Sequence, residues 1–397
     1  MENVTVVGLG YVGLPTAIAL AQTNFKVNGF DINSEKISQL KNGNSYIEEI
    51  PSKTISKLVS SEKLTVFTEI NLIKKTDVFL ICVPTPLTLD QKPDLSYLVD
   101  AIMSIGSILK RNNLVIIEST VEPGTIRNTL LPLLEKSANM LIGEFHLAYS
   151  PERIDPGNKV WEIANVPKLV SGFNDLAKQK ALDFYGKFVK NLVPCTSIEV
   201  AESAKLLENS FRLVNISFVN EFSKFCHKMN IDVNEVIAAA STKPYGFMPF
   251  YPSIGAGGHC IPIDPVYLAH KAKEIGVETQ LIDLAVAINQ KMPDYYIKLA
   301  EEMLFGLSNK KILVLGVSYK SNISDVRETP VSRLLSGLSM KGALVDWHDD
   351  LVKEWNGSKS VPISNNYDLA IIATPHEYVD LAKLGNVPIL NSRDLSH

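Results

Sequence analysis

Cysteine is scarce. Four occur in 397 residues, Cys82, Cys195, Cys226 and Cys260, far apart and without the paired spacing of metal ligands. That leaves no metal site to expect and fits a reduced, cytoplasmic protein. Long apolar runs are absent: none approaches the roughly 20 residues a membrane helix needs, so no membrane association is expected. The first strand, Val4-Thr5-Val6-Val7, follows no charged-then-apolar leader. Nor does one sign of charge dominate. With 39 Lys+Arg against 43 Asp+Glu the net charge is -4, which predicts no attraction to nucleic acid or to a membrane surface. What the chain does have is length. At roughly 100–200 residues per domain it should hold two or three domains with sizeable cores.

Val4 to Val7 reads as a fully buried parallel strand. Gly8-Leu9-Gly10-Tyr11-Val12-Gly13 follows at once, then a helical rhythm of Leu14, Ile18, Leu20 and Ala21, with Pro15 tolerated in the first turn. Val27-Asn28-Gly29-Phe30-Asp31 is a second strand ending in an acid. One glycine makes the tight turn, one lets backbone N–H groups approach a pyrophosphate, and one lets helix and strand pack closely. Asp31 would accept hydrogen bonds from the adenosine ribose and repel a 2′-phosphate, which favours NAD over NADP. A nucleotide-free Rossmann-like fold is the alternative.

A third strand is read at Asp77–Val83, ending in Pro84-Thr85-Pro86, and a fourth at Leu114–Glu118, ending in Ser119-Thr120-Val121. Ligands in such sheets lie beyond the carboxyl ends of the strands. Thr85 and Thr120 are therefore either contacts to a nicotinamide ribose or reacting sugar, or capping hydroxyls. Cys82 is read as core within the third strand. The pattern returns near the C-terminus: Lys311–Gly316 matches the first strand and its glycine, Leu344-Val345-Asp346 the acid-ended strand, and Tyr367–Pro375 echoes Thr76–Pro84. Gly316 is followed by Val317-Ser318-Tyr319-Lys320 rather than a full glycine fingerprint. This second crevice would hold a different nucleotide, such as one carrying the substrate.

From about Ser197 to Asn230 no helix breaker interrupts an apolar rhythm, so one long helix or two in tandem is expected. Lys205, Asn209 and Arg212 fall at i, i+4 and i+7 on one face. They form either a functional stripe or a solvated face with Glu202 and Glu208 as ion-pair partners. The loop around Gly257-Gly258-His259-Cys260 is stiffened by Pro244, Pro249, Pro252 and Pro262 and locally freed by Gly246, Gly255, Gly257 and Gly258. Cys260 is a nucleophile in that setting, or a buried structural cysteine of the ordinary kind.

Taken together these residues resemble the UDP-glucose/GDP-mannose dehydrogenase family, the nucleotide-sugar 6-dehydrogenases. The motifs are Gly8–Gly13 with Asp31, Val83-Pro84-Thr85-Pro86, Ser119-Thr120-Val121, Ser150-Pro151-Glu152-Arg153, Ala204–Asn209, Gly257–Cys260, Gly316–Lys320 and Asp325-Val326-Arg327-Glu328, in family order along the whole chain. The resemblance implies an α/β architecture of two Rossmann-like doubly wound parallel-sheet domains joined by a central helical domain. The NAD-binding domain would span residues 1–195, the helical dimerisation and active-site domain 196–300, and the UDP-sugar-binding domain 301–397. A homodimer acting on a UDP-sugar is implied.

The resemblance also implies roles. Cys260 is similar to the nucleophile, Lys205 to the lysine that assists proton transfer and stabilises the oxyanion with Asn209 beside it, and Asp264 to the acid that positions or activates water. Glu152 and Thr120 match residues at the reacting end and its water. Cofactor contacts fall at Gly8, Gly10, Tyr11, Val12, Gly13, Asp31, Lys36, Thr85, Thr120 and Arg327. Substrate contacts fall at Glu152, Arg153, Ile154, Lys205, Asn209, Arg212, Gly257, Tyr319 and Lys320. The implied reaction removes two hydrides in succession from a primary alcohol and holds the half-oxidised sugar on sulfur. A cation near the thiol would populate the thiolate, since a free thiol has a pKa of about 8.5. UDP-glucose members usually have serine where His259 stands. The segments Ser150–Asn158 and Thr242–Pro252 look like the UDP-N-acetylhexosamine branch, with UDP-N-acetylglucosamine the first choice. Ser253-Ile254 departs from the Gly-Pro more often seen there. The rival readings are a single-step dehydrogenase of the hydroxyacid type and an inactive nucleotide-sugar sensor.

Overall fold

The computed structural model describes residues 2–155, 158 and 160–393. The chain divides into two compact units, Met1–Leu207 and Glu208–His397. The first is built on eight strands: β1 Glu2–Val7, β2 Phe25–Phe30, β3 Leu64–Phe67, β4 Val78–Ile81, β5 Leu114–Ile117, β6 His146–Tyr149, β7 Lys168–Gly172 and β8 Leu192–Pro194. Their order in the sheet is β3-β2-β1-β4-β5-β6-β7-β8. The first six strands follow the doubly wound order, with the switch point at β1, flanked by β2 and β4. All pairings are parallel except β6 with β7. β4 and β5 are buried at every residue, as strands covered on both faces must be.

Two adjustments to the strand reading follow. The run at Val78–Ile81 is the fourth strand, because the short edge strand β3 precedes it. Cys82 lies one residue beyond β4 and is buried. Helices α1 Gly13–Gln22, α2 Ser34–Lys41, α3 Ser52–Ser60, α4 Ser96–Gly106, α5 Leu131–Ala138 and α6 Asp175–Tyr185 connect the strands. α1 buries Leu14, Ala17, Ile18 and Ala21, the i, i+3, i+4, i+7 pattern of a helix laid on a sheet.

The stretch read as one helix or two is one: α7, Ile198–Met229, 32 residues, about 48 Å long at 1.5 Å per residue. The boundary between the units falls within it. The second unit continues with α8 Val233–Ser241, α9 Asp264–Glu274, α10 Gln280–Leu304 and α11 Val331–Met340. Its sheet contains β9 Lys311–Leu315 and β10 Leu344–His348, then, after the hairpin β11 Glu354–Trp355 and β12 Ser358–Lys359, β13 Leu369–Ile372 and β14 Ile389–Asn391. The order β10-β9-β13-β14, parallel throughout, is a second and smaller Rossmann-like sheet. Met292, Tyr296, Ile297 and Ala300 of α10 join Leu334 and Leu338 of α11 in its core. Among the described residues no helix is long and apolar enough to cross a membrane.

Candidate active site

Gly8 opens the turn after β1 at φ +88°, where a Cβ would sit 2.9 Å from the Cys82 carbonyl oxygen. A Cβ on Gly13 would lie 1.8 Å from the Gly8 carbonyl oxygen, so only glycine lets α1 start there. At Gly10 an added Cβ would meet nothing within 4 Å, which leaves its backbone open to a close-approaching phosphate. Asp31 stands just past β2. Its Oδ2 accepts the Leu9 N–H at 2.9 Å and its Oδ1 accepts the Asn33 N–H at 2.9 Å. Asn33 in turn caps α2 by accepting from the Glu35 and Lys36 N–H groups. The Lys36 ammonium is 3.8 Å from Asp31 and lies over the Tyr46 ring. Tyr46 donates to the Leu9 carbonyl, and burial, reinforced by the Asp31 charge, pushes its phenol well above the usual range. Tyr11 and Val12 are half-buried in the turn. Thr85 and Thr120 follow the carboxyl ends of β4 and β5, Thr85 buried and Thr120 half-buried.

Glu152, after β6, is held on every polar atom. Its Oε1 accepts the N–H groups of Arg153 and Ile154, both at 2.6 Å. Its Oε2 faces Lys168 at 3.2 Å, and its backbone carbonyl accepts Lys205 Nζ at 2.6 Å. Arg153 turns back to donate to the Pro167 carbonyl at 2.7 Å. Pro156 and Gly157 of the Ser150–Asn158 segment lie outside the described residues. On α7, Lys205 and Asn209 are buried while Arg212 is exposed. The solvated-face reading fails for Glu202. It is buried and accepts the N–H groups of Gly124 (2.7 Å) and Ile126 (3.2 Å), tying down the loop that carries Thr120. Burial pushes its carboxyl up to about 7.

In the second unit Cys260 is exposed, whereas the other three cysteines are buried. Its carbonyl accepts the N–H groups of Ile263 (3.2 Å) and Asp264 (2.9 Å), so the cysteine forms the turn that enters α9. Asp264, the first residue of α9, is buried and accepts the Asn209 amide at 2.6 Å. A Cβ at Gly257 would lie 2.7 Å from the Glu328 carbonyl oxygen, and one at Gly258, φ +83°, 2.7 Å from the Tyr319 ring. The glycines therefore let the cysteine loop nest against the Tyr319–Pro330 segment. Gly258 donates to the Arg327 carbonyl at 3.1 Å, and the Arg327 guanidinium is bidentate on Asp325. Burial, aided by Arg327, lowers the pKa of His259. Lys320 is half-buried. The departure at Ser253-Ile254 is compensated by hydrogen bonds. Ser253 N–H donates to Asn220 Oδ1 at 2.8 Å, and Asn289 brackets Ala256 from both sides, at 2.6 and 3.0 Å.

The second sheet repeats the first crevice closely, but its acid is Asp349 and not Asp346. Gly316, φ +80°, donates to the His348 carbonyl at 2.9 Å as Gly8 does to that of Phe30 at 2.8 Å. Val317 N–H donates to Asp349 Oδ2 at 2.9 Å, as Leu9 does to Asp31. Asp346 lies within the edge strand β10, exposed, and accepts the Tyr367 hydroxyl. Asp349 is fully buried and also bonded to His376 Nε2 at 3.1 Å. Burial alone would raise its carboxyl, but His376 and the backbone N–H groups hold it below the ordinary range. His376 Nδ1 accepts the Asn322 N–H, which assigns the ring proton to Nε2. Ser318, also buried, stands where the first crevice has Gly10. Ser318, Asp349 and His376, all buried, thus stand in the second crevice at the places that correspond to the Gly10 turn and Asp31 of the first. Asp349, His376, Glu118, Lys168 and Tyr185 were not singled out from the sequence. The one available signal was a carboxylate, Glu118, closing an otherwise apolar strand.

Family models match almost the whole chain in three consecutive pieces: the NAD binding domain of the UDP-glucose/GDP-mannose dehydrogenase family at residues 2–189, its central domain at 199–291, and its UDP binding domain at 313–390. The chain belongs to the UDP-glucose/GDP-mannose dehydrogenase family. It is an NAD-dependent nucleotide-sugar dehydrogenase. It is 36% identical to the UDP-N-acetyl-D-glucosamine 6-dehydrogenase of Pseudomonas aeruginosa, over 94% of this chain and 90% of that one. It is 37% identical to the UDP-N-acetyl-D-mannosamine dehydrogenase of Pyrococcus horikoshii, over 94% and 89%. A solved structure of a UDP-D-ManNAc dehydrogenase from Pyrococcus horikoshii superposes with a TM-score of 0.91 at 34% identity, covering 99% of this chain and 96% of that one.

The residues of this dehydrogenase fit NAD: open backbone at Gly10, and a carboxylate whose oxygens each keep a lone pair for a ribose hydroxyl. Asp31→Ala is expected to raise the Kd for NAD at least about tenfold, or about 1.4 kcal/mol. It should also narrow the preference over NADP, because Lys36 loses its acidic neighbour. Calorimetric titration with both cofactors checks this. Undiminished NAD affinity would mean that the ribose lies elsewhere.

Proposed function

We propose that this dehydrogenase oxidises the 6-hydroxymethyl group of a UDP-N-acetylhexosamine, UDP-N-acetylglucosamine first, to the uronate. Both hydrides pass to NAD, which supplies the oxidising power when bound in the Gly8–Gly13 cradle. The observation that carries the reading is the exposed thiol of Cys260 on a glycine loop at the head of α9, next in the chain to the buried Asp264–Asn209 pair. The Cys260 sulfur adds to the aldehyde carbon, and the C–S bond keeps the half-oxidised sugar on the enzyme. After the second hydride leaves, the thioester carbonyl is attacked by water. Lys205 and Asn209 stabilise the oxyanions, each such donor contributing on the order of 100- to 1,000-fold. Asp264, or Glu152 with Thr120, orients the water and takes its proton. Arg153, Ile154, Arg212, Gly257, Tyr319 and Lys320 hold the nucleotide sugar, and Arg327 reaches the cofactor.

UDP-N-acetylglucosamine and UDP-N-acetylmannosamine both appear in the names of relatives above 30% identity, which supports an N-acetylhexosamine substrate. The galacto epimer and UDP-glucose are the further alternatives. NADH production from a panel of these four UDP-sugars tests the choice. UDP-N-acetylglucosamine should give the highest kcat/KM, and a higher value with another epimer would replace it. Dehydrogenase relatives give no support to an inactive sensor.

The division into domains 1–195, 196–300 and 301–397 and a reduced, cytoplasmic setting complete the reading. So does a homodimer. Phe211, Phe218 and Phe225 recur at seven-residue steps along α7, as do Val200 and Leu207, and all five are exposed. An exposed apolar heptad stripe on a long helix is suited to pairing with a second copy. Phe218→Glu is expected to shift the mass measured by light scattering from dimer to monomer. A monomeric unmodified protein at micromolar concentration would remove the proposal.

A further inference from the structure

Beside Glu152 lies a set of buried charges that the chemistry above does not use. Lys168, the first residue of β7, places its ammonium 2.8 Å from Glu118 Oε1 and 3.2 Å from Glu152 Oε2. Both Lys168 and Glu118 are buried. Tyr185, the last residue of α6, donates to Glu118 Oε1 at 2.6 Å, and its ring centre is 5.0 Å from the Lys168 ammonium. Cys82 donates to Glu118 Oε2 at 3.4 Å. Two carboxylates therefore share one ammonium. Burial alone would lower Lys168, but Glu118 and Glu152 together push it well above the ordinary range. Burial raises the Glu118 carboxyl, against the pull of Lys168.

Stability does not explain such a group. Desolvation of buried ions consumes most of their mutual attraction, and apolar replacements of similar volume are often as stable. Geometry does offer an explanation. The three side chains on the Glu118 carboxylate, Lys168, Tyr185 and Cys82, all come from other segments of the same unit, and Lys168 reaches on from Glu118 to Glu152 Oε2. The opposite oxygen of Glu152 is already fixed by two backbone N–H groups.

We propose that Lys168 is a positioning residue: anchored by Glu118 and Tyr185, it holds the Glu152 carboxylate in one orientation for the water that releases the uronate. The inference rests on the reading of Glu152 as a water-directing acid. In that step the water oxygen bonds to the thioester carbon, a proton of the water passes to the Glu152 carboxylate, and the C–S bond breaks with the sulfur leaving as thiolate. No electrons leave or enter.

Among the described residues, the charged and titratable groups around Glu152 and its partners are Lys168 on β7, Glu118 beyond β5 with Tyr185 of α6 bonded to it, Cys82 beyond β4, Lys205 on α7 and the adjoining Arg153. The test compares Lys168→Met/Glu118→Gln, which removes both buried charges, with Lys168→Arg and the isosteric Tyr185→Phe. Melting curves and NAD titration establish folding. The double variant should lose about 10- to 100-fold in kcat with KM little changed. The loss should fall on thioester hydrolysis, so the double variant should accumulate the sugar bound to the enzyme, seen in the mass of the intact protein. Lys168→Arg should restore most of the rate, and Tyr185→Phe should lower kcat in the same way by less. An unchanged kcat in the double variant, or a loss without accumulated adduct, overturns the proposal, provided that Glu152→Gln is impaired. If Glu152→Gln forms uronate at the full rate, the role of Glu152 itself falls instead.

Discussion

Cys260→Ser should end uronate formation, with a loss on the order of 10³-fold or more, while NAD and UDP-sugar binding stay near their original affinities. The expectation follows from what the sulfur is asked to do. A primary alcohol reaches the aldehyde without a nucleophile, so the first hydride does not need Cys260. The second does. An aldehyde carbon presents a transferable hydride to the acceptor once a nucleophile has added and made the centre tetrahedral, and the adduct must survive exchange of the spent cofactor. A serine hydroxyl at this position is a far weaker nucleophile at neutral pH. The loop itself should tolerate the change, because serine nearly matches cysteine in size, and the carbonyl of residue 260 and the glycines before it, which shape the loop, are kept. Single-turnover product analysis distinguishes the cases: the variant yields at most one NADH per site and aldehyde. Unchanged turnover to uronate would refute the covalent scheme.

The second large effect is expected at the Asn209–Asp264 pair. Asp264 is buried at the first position of α9, its backbone N–H bonded to Cys260 and its carboxylate to the Asn209 amide at 2.6 Å. The pair joins α7 to the turn that presents the thiol. Asp264→Ala is expected to reduce kcat by about 100- to 1,000-fold and to leave the Asn209 amide without its carboxylate, at about 1–3 kcal/mol of stability. Asn209→Ala should cost a comparable factor. Because both act through one hydrogen bond, the double variant should lose much less than the product of the single losses. Fully multiplicative losses in that cycle would show that the two residues work independently.

What was legible in the sequence was what sterics make local. Gly8, Gly13 and the glycines before Cys260 are positions where a Cβ has no room or a backbone must turn left-handed, and such demands show as residue identity. The long helix was legible because nothing breaks it. Less was visible where the determinant is partnership across the sheet. Asp346 looked like the strand-ending acid because β10 is an edge strand whose outward residues can be polar. The strand runs on to His348, and the structural counterpart of Asp31 is Asp349. Strands β3 and β8 are short edge segments, and their pattern alone is no stronger than that of a loop. The Glu118–Lys168–Glu152 arrangement joins three separate segments that only the pairing of β5, β6 and β7 brings side by side. Glu202, read as a partner for cations on α7, proved to be an acceptor for backbone N–H groups at the start of another helical segment, a use of a carboxylate that helix periodicity cannot disclose.

The central claim is that one sulfur atom carries the sugar from its first oxidation to its second. The most direct measurement is the ratio of NADH formed to uronate released by the purified enzyme with its UDP-N-acetylhexosamine, followed by absorbance and product mass in the same reaction. Two NADH per uronate, with no free aldehyde at any time, is the predicted result. One NADH per sugar with an accumulating aldehyde would contradict it.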